Sequence, residues 1–526
     1  MLKRIKRIFG LEELRGGNKI IVNVEKLERR VALLENGVLE EYTIERVGQR
    51  NIVGSIFKGK VKNIEPGLKA MFVDIGLEKN AFLHFWDAIP AALDAGLEEI
   101  QRDPGKRKGQ KRISSKDIPE IYPVGSEVLV QVTKGPIGNK GPRVTTNISL
   151  PGRFMVLMPL NDQFGISRKI EDPNERKRLQ RITEKLSVPE GMGIIMRTVC
   201  QGKRARFFVR DLGILLDQWR LIDEKQAAHP APLRVFEEPD VVERTVRDFL
   251  TEEIDEVLCD DPGTAERMRE LAGAISRRAR KRIRVFEGNV PVFERFGIQK
   301  QIDNAFHRQV WLNCGGYLVI DETEAMITID VNTGRNKGSK DVDKMILETN
   351  LEAAEEVSRQ LRLRNIGGLV VVDFIDMRSR RDQQAVYRGM KDRLKRDKAK
   401  TQILPISQLG LMEMTRQRLN ESLSEAVYDL CGYCNGRGRV KSTMTMSVEL
   451  QRRVAKILQR FPEDTHHDLL LVVHPDVLNR LRSEDDQILV ELERRFSARL
   501  TFRSDPAFHR ENVAVLDAKT GEEVRE

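Results

Sequence analysis

Disulfide chemistry is the first thing this chain lacks. Its 526 residues hold five cysteines, an odd number and no basis for a disulfide framework. Cys200, Cys259 and Cys314 stand alone and read as small buried hydrophobes, whereas Cys431 and Cys434 are spaced as a pair. Aromatic residues are scarce, at 6 %. No apolar run approaches the ~18 residues of a membrane helix. The N-terminal MLKRIKRIFGLEELRGG is charged throughout and has no apolar secretion core, so a cytoplasmic protein without a membrane partner is expected. What the chain has in quantity is charge, with 90 Lys and Arg against 80 Asp and Glu, a formal +10. A basic excess of this kind favours a polyanionic partner. Single cores seldom grow past ~250–300 residues, so several domains are expected.

The most informative stretch runs from Gly315 to Met377 and reads as strand, turn, strand, helix, strand. Tyr317–Ile320 and Ala325–Asp330 are short β-rich runs around a polar turn, as in a hairpin. Ser339 or Asp341 can cap a helix with apolar positions at Val342, Ile346, Leu347, Leu351, Ala354, Val357 and Leu361, and Gly367–Gly368 would end it. Leu369–Phe374 is a continuous apolar run, the pattern of a strand covered on both faces. A helical crossover makes the flanking strands parallel. Asp330 and Asp373 then emerge at one sheet edge, with Asn332 and Asp376 just beyond. A divalent cation is the simplest partner for such a pair, since Mg²⁺ is held by one or two carboxylates and keeps its other positions for water and phosphate. Ordinary roles are the alternative: a loop cap, or pairing with Arg378, Arg380 or Arg381.

The motifs ITIDVNTG, ETNLEAAEEVSRQLRLRNIGGLVVVDFIDM, QLGLMEMTRQR and CGYCNGRG resemble the catalytic core of the ribonuclease E / ribonuclease G family, and the likeness runs from about Lys19 to about Val440. The resemblance implies a Mg²⁺-dependent endoribonuclease that prefers single-stranded RNA and leaves 5′-phosphate and 3′-hydroxyl ends. It assigns Asp330 and Asp373 to the Mg²⁺ and Asn332 to hydrogen-bonded support. Such an ion neutralises charge on the phosphate and makes water a better nucleophile. In layout the chain is closer to the ribonuclease G side of the family, with no sign of a degradosome scaffold region before Glu526.

The same resemblance divides a multidomain α/β chain. Residues 1–17 are an N-terminal extension, a frayed end or an RNA-contacting arm. Residues 18–50 and 241–304 form a ribonuclease-H-like subdomain, with Lys19–Val47 as a hairpin turning at Asn36–Gly37 and Val241–Val257 at helical spacing. Residues 51–145 form an OB-type RNA-binding barrel interrupted by a basic loop, 87–118. By their type alone Phe72 and Phe82 could both be core, and Phe72 reads so. The family likeness instead gives them to base stacking and Lys140 to RNA contact. Residues 146–240 form a 5′-end sensor in which Gly152, Val156, Arg197 and Thr198 line a pocket for a 5′-monophosphate. Lys400 approaches from the catalytic part, as a point charge where a forked Arg is expected. Residues 305–427 are the deoxyribonuclease-I-like catalytic subdomain and 428–440 a zinc link. Residues 441–526 form a small α/β C-terminal domain.

Cys431 and Cys434 have zinc-knuckle spacing. Four ligands close a structural site, so two chains giving two thiolates each would share one Zn²⁺ and make a dimer, or a tetramer built from dimers. A redox dithiol is the other reading. The expected function is endonucleolytic processing of rRNA and tRNA precursors and mRNA decay. The alternative is a non-catalytic RNA-binding or ribosome-assembly factor of the same fold.

Overall fold

The computed structural model describes residues 16–48, 52–89, 97–100, 117–136, 140–323, 325–334, 342–418, 422–462 and 466–524. The first fifteen residues of the N-terminal extension, the basic stretch 101–116 and the proposed caps Ser339 and Asp341 lie outside them. The chain divides into two compact units, 1–426 and 427–526.

The larger unit contains four sheets. In the first, Asn18–Val24, Glu28–Glu35 and Val38–Arg46 run antiparallel. The last two are joined through Asn36 and Gly37 at φ of 50° and 84°, the left-handed pair a tight hairpin turn requires. Strands Ile254–Cys259 and Ile283–Val285 extend this sheet in parallel. The helix expected over Val241–Val257 therefore stops at Asp248. Ile254, Val257 and Cys259 are drawn instead into a long-range β pairing that helical spacing cannot reveal.

The second sheet closes on itself. Its strands follow the order Ile56–Glu65, Ala70–Asp74, Ala81–His84, Arg143–Thr145 and Glu127–Lys134, and the last pairs back to the first. Met71, Val73, Ala81, Leu83, Val128, Val130, Val132 and Val144 fill the barrel. A third sheet joins Leu150–Pro151, Met155–Met158, Gly193–Met196, Phe164–Ser167 and Leu97–Ile100. Residues 97–100, read from sequence as part of the interrupting loop, are thus an edge strand of this neighbouring sheet. Helix Ala205–Ala228 covers it, burying Phe208, Leu212, Leu215, Trp219 and Ile222 at helical spacing.

The fourth sheet has the order Gln309–Trp311, Tyr317–Glu322, Met326–Asn332, Gly368–Asp373, Leu411–Arg416, Thr401–Ile403. Helices Val342–Leu363 and Arg380–Leu394 pack on one face, over Ile327, Ile329, Val331, Val370 and Val372. The other face is open, so Gly368–Asp373 is not the doubly covered strand its apolar run suggests. Leu369 is 41 % exposed and Val371 only half-buried. The long helix buries the expected Ala354, Val357 and Leu361 and half-buries Ile346 and Leu347, but not all of its expected face. Val342 and Leu351 are exposed, while Thr349, Asn350, Ala353, Ala354, Val357 and Leu361 are buried. It ends through Asn365, at φ 50°, rather than at the glycines. The Ile366 N–H donates to the Leu361 carbonyl, the wrapped C-terminal motif that a left-handed residue permits.

The smaller unit has helices Thr443–Leu458, Pro475–Ser483 and Asp486–Arg495 around a three-stranded sheet ordered Ala498–Ser504, His467–Val473, Val513–Asp517. Among the described residues no helix is long and apolar enough to cross a membrane.

Candidate active site on an open sheet face

Alternation along the strands decides which side chains reach the open face. Ile327, Ile329 and Val331 point into the helix-covered core, so Thr328 and Asp330 point away from it. On the next strand Val370 and Val372 are buried, leaving Val371 and Asp373 on the open side. The two strands are parallel and Asp330 stands directly opposite Asp373. Their backbones are therefore one strand spacing apart, ~4.8 Å. Asn332 lies two residues on, and its Nδ2 donates to Asp330 Oδ2 at 2.7 Å.

The electrostatics of this pair are one-sided. Partial burial, and then the Asp330 and Asp376 carboxylates, push the Asp373 carboxyl above its usual range. Among the described residues no cation pairs with them, Arg378, Arg380 and Arg381 included. Converging carboxylates without a counter-charge are the donor set a hard divalent cation takes. The residues present therefore fit Mg²⁺, with Asp330 and Asp373 as direct donors, Asp376 adjoining and Asn332 holding Asp330 in place. No cluster of three or more His, Cys, Asp or Glu with ligand geometry occurs among the described residues; the two carboxylates would leave the other positions of such an ion to solvent or substrate.

Sequence reading missed the residue that fixes the turn between Asp373 and Asp376. Asn350, fully buried in the long helix, donates from Nδ2 to the Ile375 carbonyl at 2.8 Å and accepts from the Ile375 N–H at 3.1 Å. An amide at a core position of an amphipathic helix was the available signal. Gly410, at φ 82°, brings backbone against Asp376; a Cβ there would sit 3.2 Å from its Oδ1.

On the barrel, Phe72 and Phe82 are neighbours in register, with ring centroids 5.9 Å apart. Both belong to the outward set, half-buried, while Met71, Val73, Ala81 and Leu83 face inward, so neither is the core residue its type suggests. Arg143 sits opposite Phe82 in register and pairs with Asp87 at 2.8 Å. Lys140 is exposed. A cleft of about 720 Å³ runs from Lys134 and Arg143 of the barrel to Met326 and Gly368, where the two carboxylate-bearing strands begin.

Gly152, Val156, Arg197 and Thr198 come together in the third sheet. Arg197 Nη1 donates to the Gly152 carbonyl at 2.5 Å and to Asp248 Oδ1 at 2.8 Å. Val156 pairs with Ile195 on the adjoining strand, and Thr198 opens a short turn directly after Arg197. A side chain at Gly152 would strike Asp211 Oδ2 at 2.7 Å. Burial opposes ionisation of Asp248, but Arg247 and Arg197 outweigh it and hold the carboxyl below its usual range. A lysine brought beside this group, besides the Lys400 expected from the sequence, is Lys398. Its Nζ lies 3.0 Å from the Phe249 ring centre and 3.4 Å from Glu41 Oε2, near enough for Asp248 and Arg197 to act on its charge. Lys400 is exposed at the start of the edge strand Thr401–Ile403.

In the smaller unit Asn435, Gly436 and Gly438 adopt φ of 48°, 78° and 64°. This curls the CGYCNGRG backbone so that its N–H groups aim at sulfur. Backbone N–H groups of Cys434 and Tyr433 pull the exposed Cys431 thiol down, and the Gly438 N–H donates to Cys434 Sγ at 3.3 Å. His509 packs on Tyr433, with its Nε2 2.5 Å from that carbonyl, and completes no metal cluster. The two thiols fit one half of a tetrahedral Zn²⁺ site.

A family model described as the ribonuclease E/G family matches residues 149–419. Ribonuclease G of Escherichia coli K12 is 35 % identical over 95 % of this chain and 99 % of its own length. Ribonuclease E of Haemophilus influenzae is 37 % identical over 97 % of this chain and 53 % of its own length. For ribonuclease E of E. coli K12 the figures are 38 %, 88 % and 43 %. The chain belongs to the ribonuclease E/G family. It is accordingly an enzyme acting on RNA phosphodiester bonds.

Proposed function

We propose that this chain is a Mg²⁺-dependent endoribonuclease that hydrolyses single-stranded RNA to 5′-phosphate and 3′-hydroxyl ends. The observation that carries the reading is the register pairing of Asp330 with Asp373 on an open face, with burial and then the Asp330 and Asp376 carboxylates acting on Asp373. Bound there, Mg²⁺ supplies charge neutralisation at the phosphate and a more acidic water. The chain's own part is positional. Asp330 and Asp373 hold the cation, Asn332 orients Asp330, and Asn350 locks the turn bearing Asp376. Among the described residues the open face has room for an extended strand, which suits single-stranded RNA.

Phe72 and Phe82 on the outside of barrel 51–145 serve as sequence-tolerant stacking surfaces, with Lys140 beside the backbone. The cleft from Arg143 to Met326 suits the path between the barrel and the carboxylates. Arg197 with Thr198 receives a 5′-monophosphate in region 146–240, and Lys398 shares the part given to Lys400. Residues 18–50 and 241–304 are the ribonuclease-H-like support, 305–427 the catalytic subdomain and 428–440 the link. Cys431 and Cys434 share one Zn²⁺ with the same pair of a second chain, and residues 441–526 flank that junction. The cellular roles follow as cytoplasmic rRNA and tRNA processing and mRNA decay.

The test is cleavage of a 5′-monophosphorylated AU-rich oligoribonucleotide with and without Mg²⁺, by wild type and by Asp330→Asn and Asp373→Asn. Cleavage should need Mg²⁺ and vanish in both variants while RNA binding persists. Wild-type cleavage by both variants refutes the site. Intact binding with no cleavage by wild type under any divalent ion would favour a purely RNA-binding role.

A further inference from the structure

An aromatic pair, Trp311 exposed and Tyr317 half-buried, shares the open face with the carboxylates. Tyr317 is in register with Asn332, and Val319 with Asp330, on the adjoining antiparallel strand. Trp311 is in register with Tyr317 one strand further out. Register partners point to the same side of a sheet, so Trp311, Tyr317, Asn332, Asp330 and Asp373 form a continuous band across one face. Trp311 is 59 % exposed. Its ring centroid lies 5.3 Å from that of Tyr317 at an interplanar angle of 57°. Tyr317 in turn lies along the turn after Asn332, where a side chain on Gly334 would come 3.3 Å from its Cδ1. The tyrosine thus braces the tryptophan, and the residue giving it room belongs to the turn that leaves the carboxylate strand.

Trp311 ends a three-residue edge strand whose buried member is Val310. A core residue would follow Val310 inward; the indole instead lies on the solvent side, two strand spacings from Asn332, about 10 Å. That span is one a nucleotide flanking a phosphate at the carboxylates would cross. A large aromatic plane left in water costs solvation unless a flat partner covers it, and unpaired RNA bases offer such a plane in every sequence.

We propose that Trp311, braced by Tyr317, is the stacking platform for a nucleobase flanking the scissile phosphate, and so sets where along a single strand the chain cuts. This rests on the Asp330–Asp373 reading of the reaction centre. The experiment separates the two by reading binding without cleavage. Oligoribonucleotides carrying the fluorescent base 2-aminopurine at successive positions around the cut site are titrated onto the Asp330→Asn chain, with and without Trp311→Ala. One position should show strong quenching, lost in Trp311→Ala and largely restored in Trp311→Phe. In the active chain Trp311→Ala should reduce kcat/KM by roughly 5- to 100-fold, the range of one lost base stack. An abasic residue at the quenched position should produce the same loss, and the two losses should not add. Quenching unchanged in Trp311→Ala, or an abasic penalty that persists in full in that variant, overturns the proposal. Absence of Mg²⁺-dependent cleavage in wild type would overturn the reaction-centre reading and leave the quenching result standing.

Discussion

The two faces of the six-stranded sheet treat the same side chain in opposite ways. On the covered face Asp397 meets Arg416 in a forked pair, with Nε to Oδ2 at 2.6 Å and Nη2 to Oδ1 at 3.1 Å, while Arg416 Nη1 donates to the Ile366 carbonyl. Both side chains are at most 3 % exposed. Every charge there has its complement, as burial demands. On the open face Asp330 and Asp373 stand opposite each other, and among the described residues no cation pairs with them. A protein can afford like charges at close range only where solvent or a ligand offsets them. The satisfied pair belongs to the core, and the unsatisfied pair is the one proposed above to hold the cation.

Exchanging the roles tests this contrast. The largest effect belongs to the open face. Asp373→Asn should lower Mg²⁺-dependent cleavage by on the order of 10³-fold, and single-turnover assays at saturating RNA would measure it. The same variant should leave thermal stability in EDTA unchanged or slightly raised, since it removes a carboxylate that others repel. A marked fall in stability would mean that Asp373 is structural after all. The covered face should behave inversely. Asp397→Ala strands the Arg416 charge in the core and should cost about 3–5 kcal/mol of stability, measured by denaturant unfolding. Cleavage per folded molecule should survive.

The thiol pair sharpens the comparison at the level of the assembly. Native mass spectrometry should find about one Zn²⁺ per two chains, lost together with the dimer in Cys431→Ser. One Zn²⁺ retained by each monomer contradicts sharing. The smallest effect lies at Arg197, a cation already partly matched. Asp248→Asn should cost roughly 1–3 kcal/mol at neutral pH yet raise the preference for 5′-monophosphate over 5′-hydroxyl RNA a few-fold, because Arg197 is released. The pH dependence has a definite sign. The Asp248 carboxyl is held low when folded, so its contribution is complete above the ordinary aspartate range and is lost as pH falls through its depressed value. The stability gap between wild type and variant should therefore close only in acid.

Much of this was legible in one dimension. The strand–helix–strand pattern over Gly315–Met377 put both aspartates at the end of parallel neighbours, and the barrel was readable from its short strands and turns. Asn36–Gly37 announced its turn, since few residues accept positive φ in succession. The failures share one cause. Val241–Val257 looked helical, Leu369–Phe374 looked doubly buried and Leu97–Ile100 looked like loop, because each depends on which distant segment lies alongside. Asn350 and Trp311 escaped notice for the same reason. An amide within a helix or an indole beside a valine acquires meaning only when another element supplies its partner or withholds one.

Sequence alone determined the local geometry of this protein: where the chain turns, which residues alternate, and which carboxylates and thiols are available, because turn chemistry and periodicity act over a few residues. Tertiary structure alone decided that the described elements would leave one sheet face uncovered, that Lys398 would stand beside Arg197, and that Asp330 and Asp376 would bear on Asp373. Solvation and charge are summed over everything nearby in space, and that sum exists only once the strands have found their neighbours.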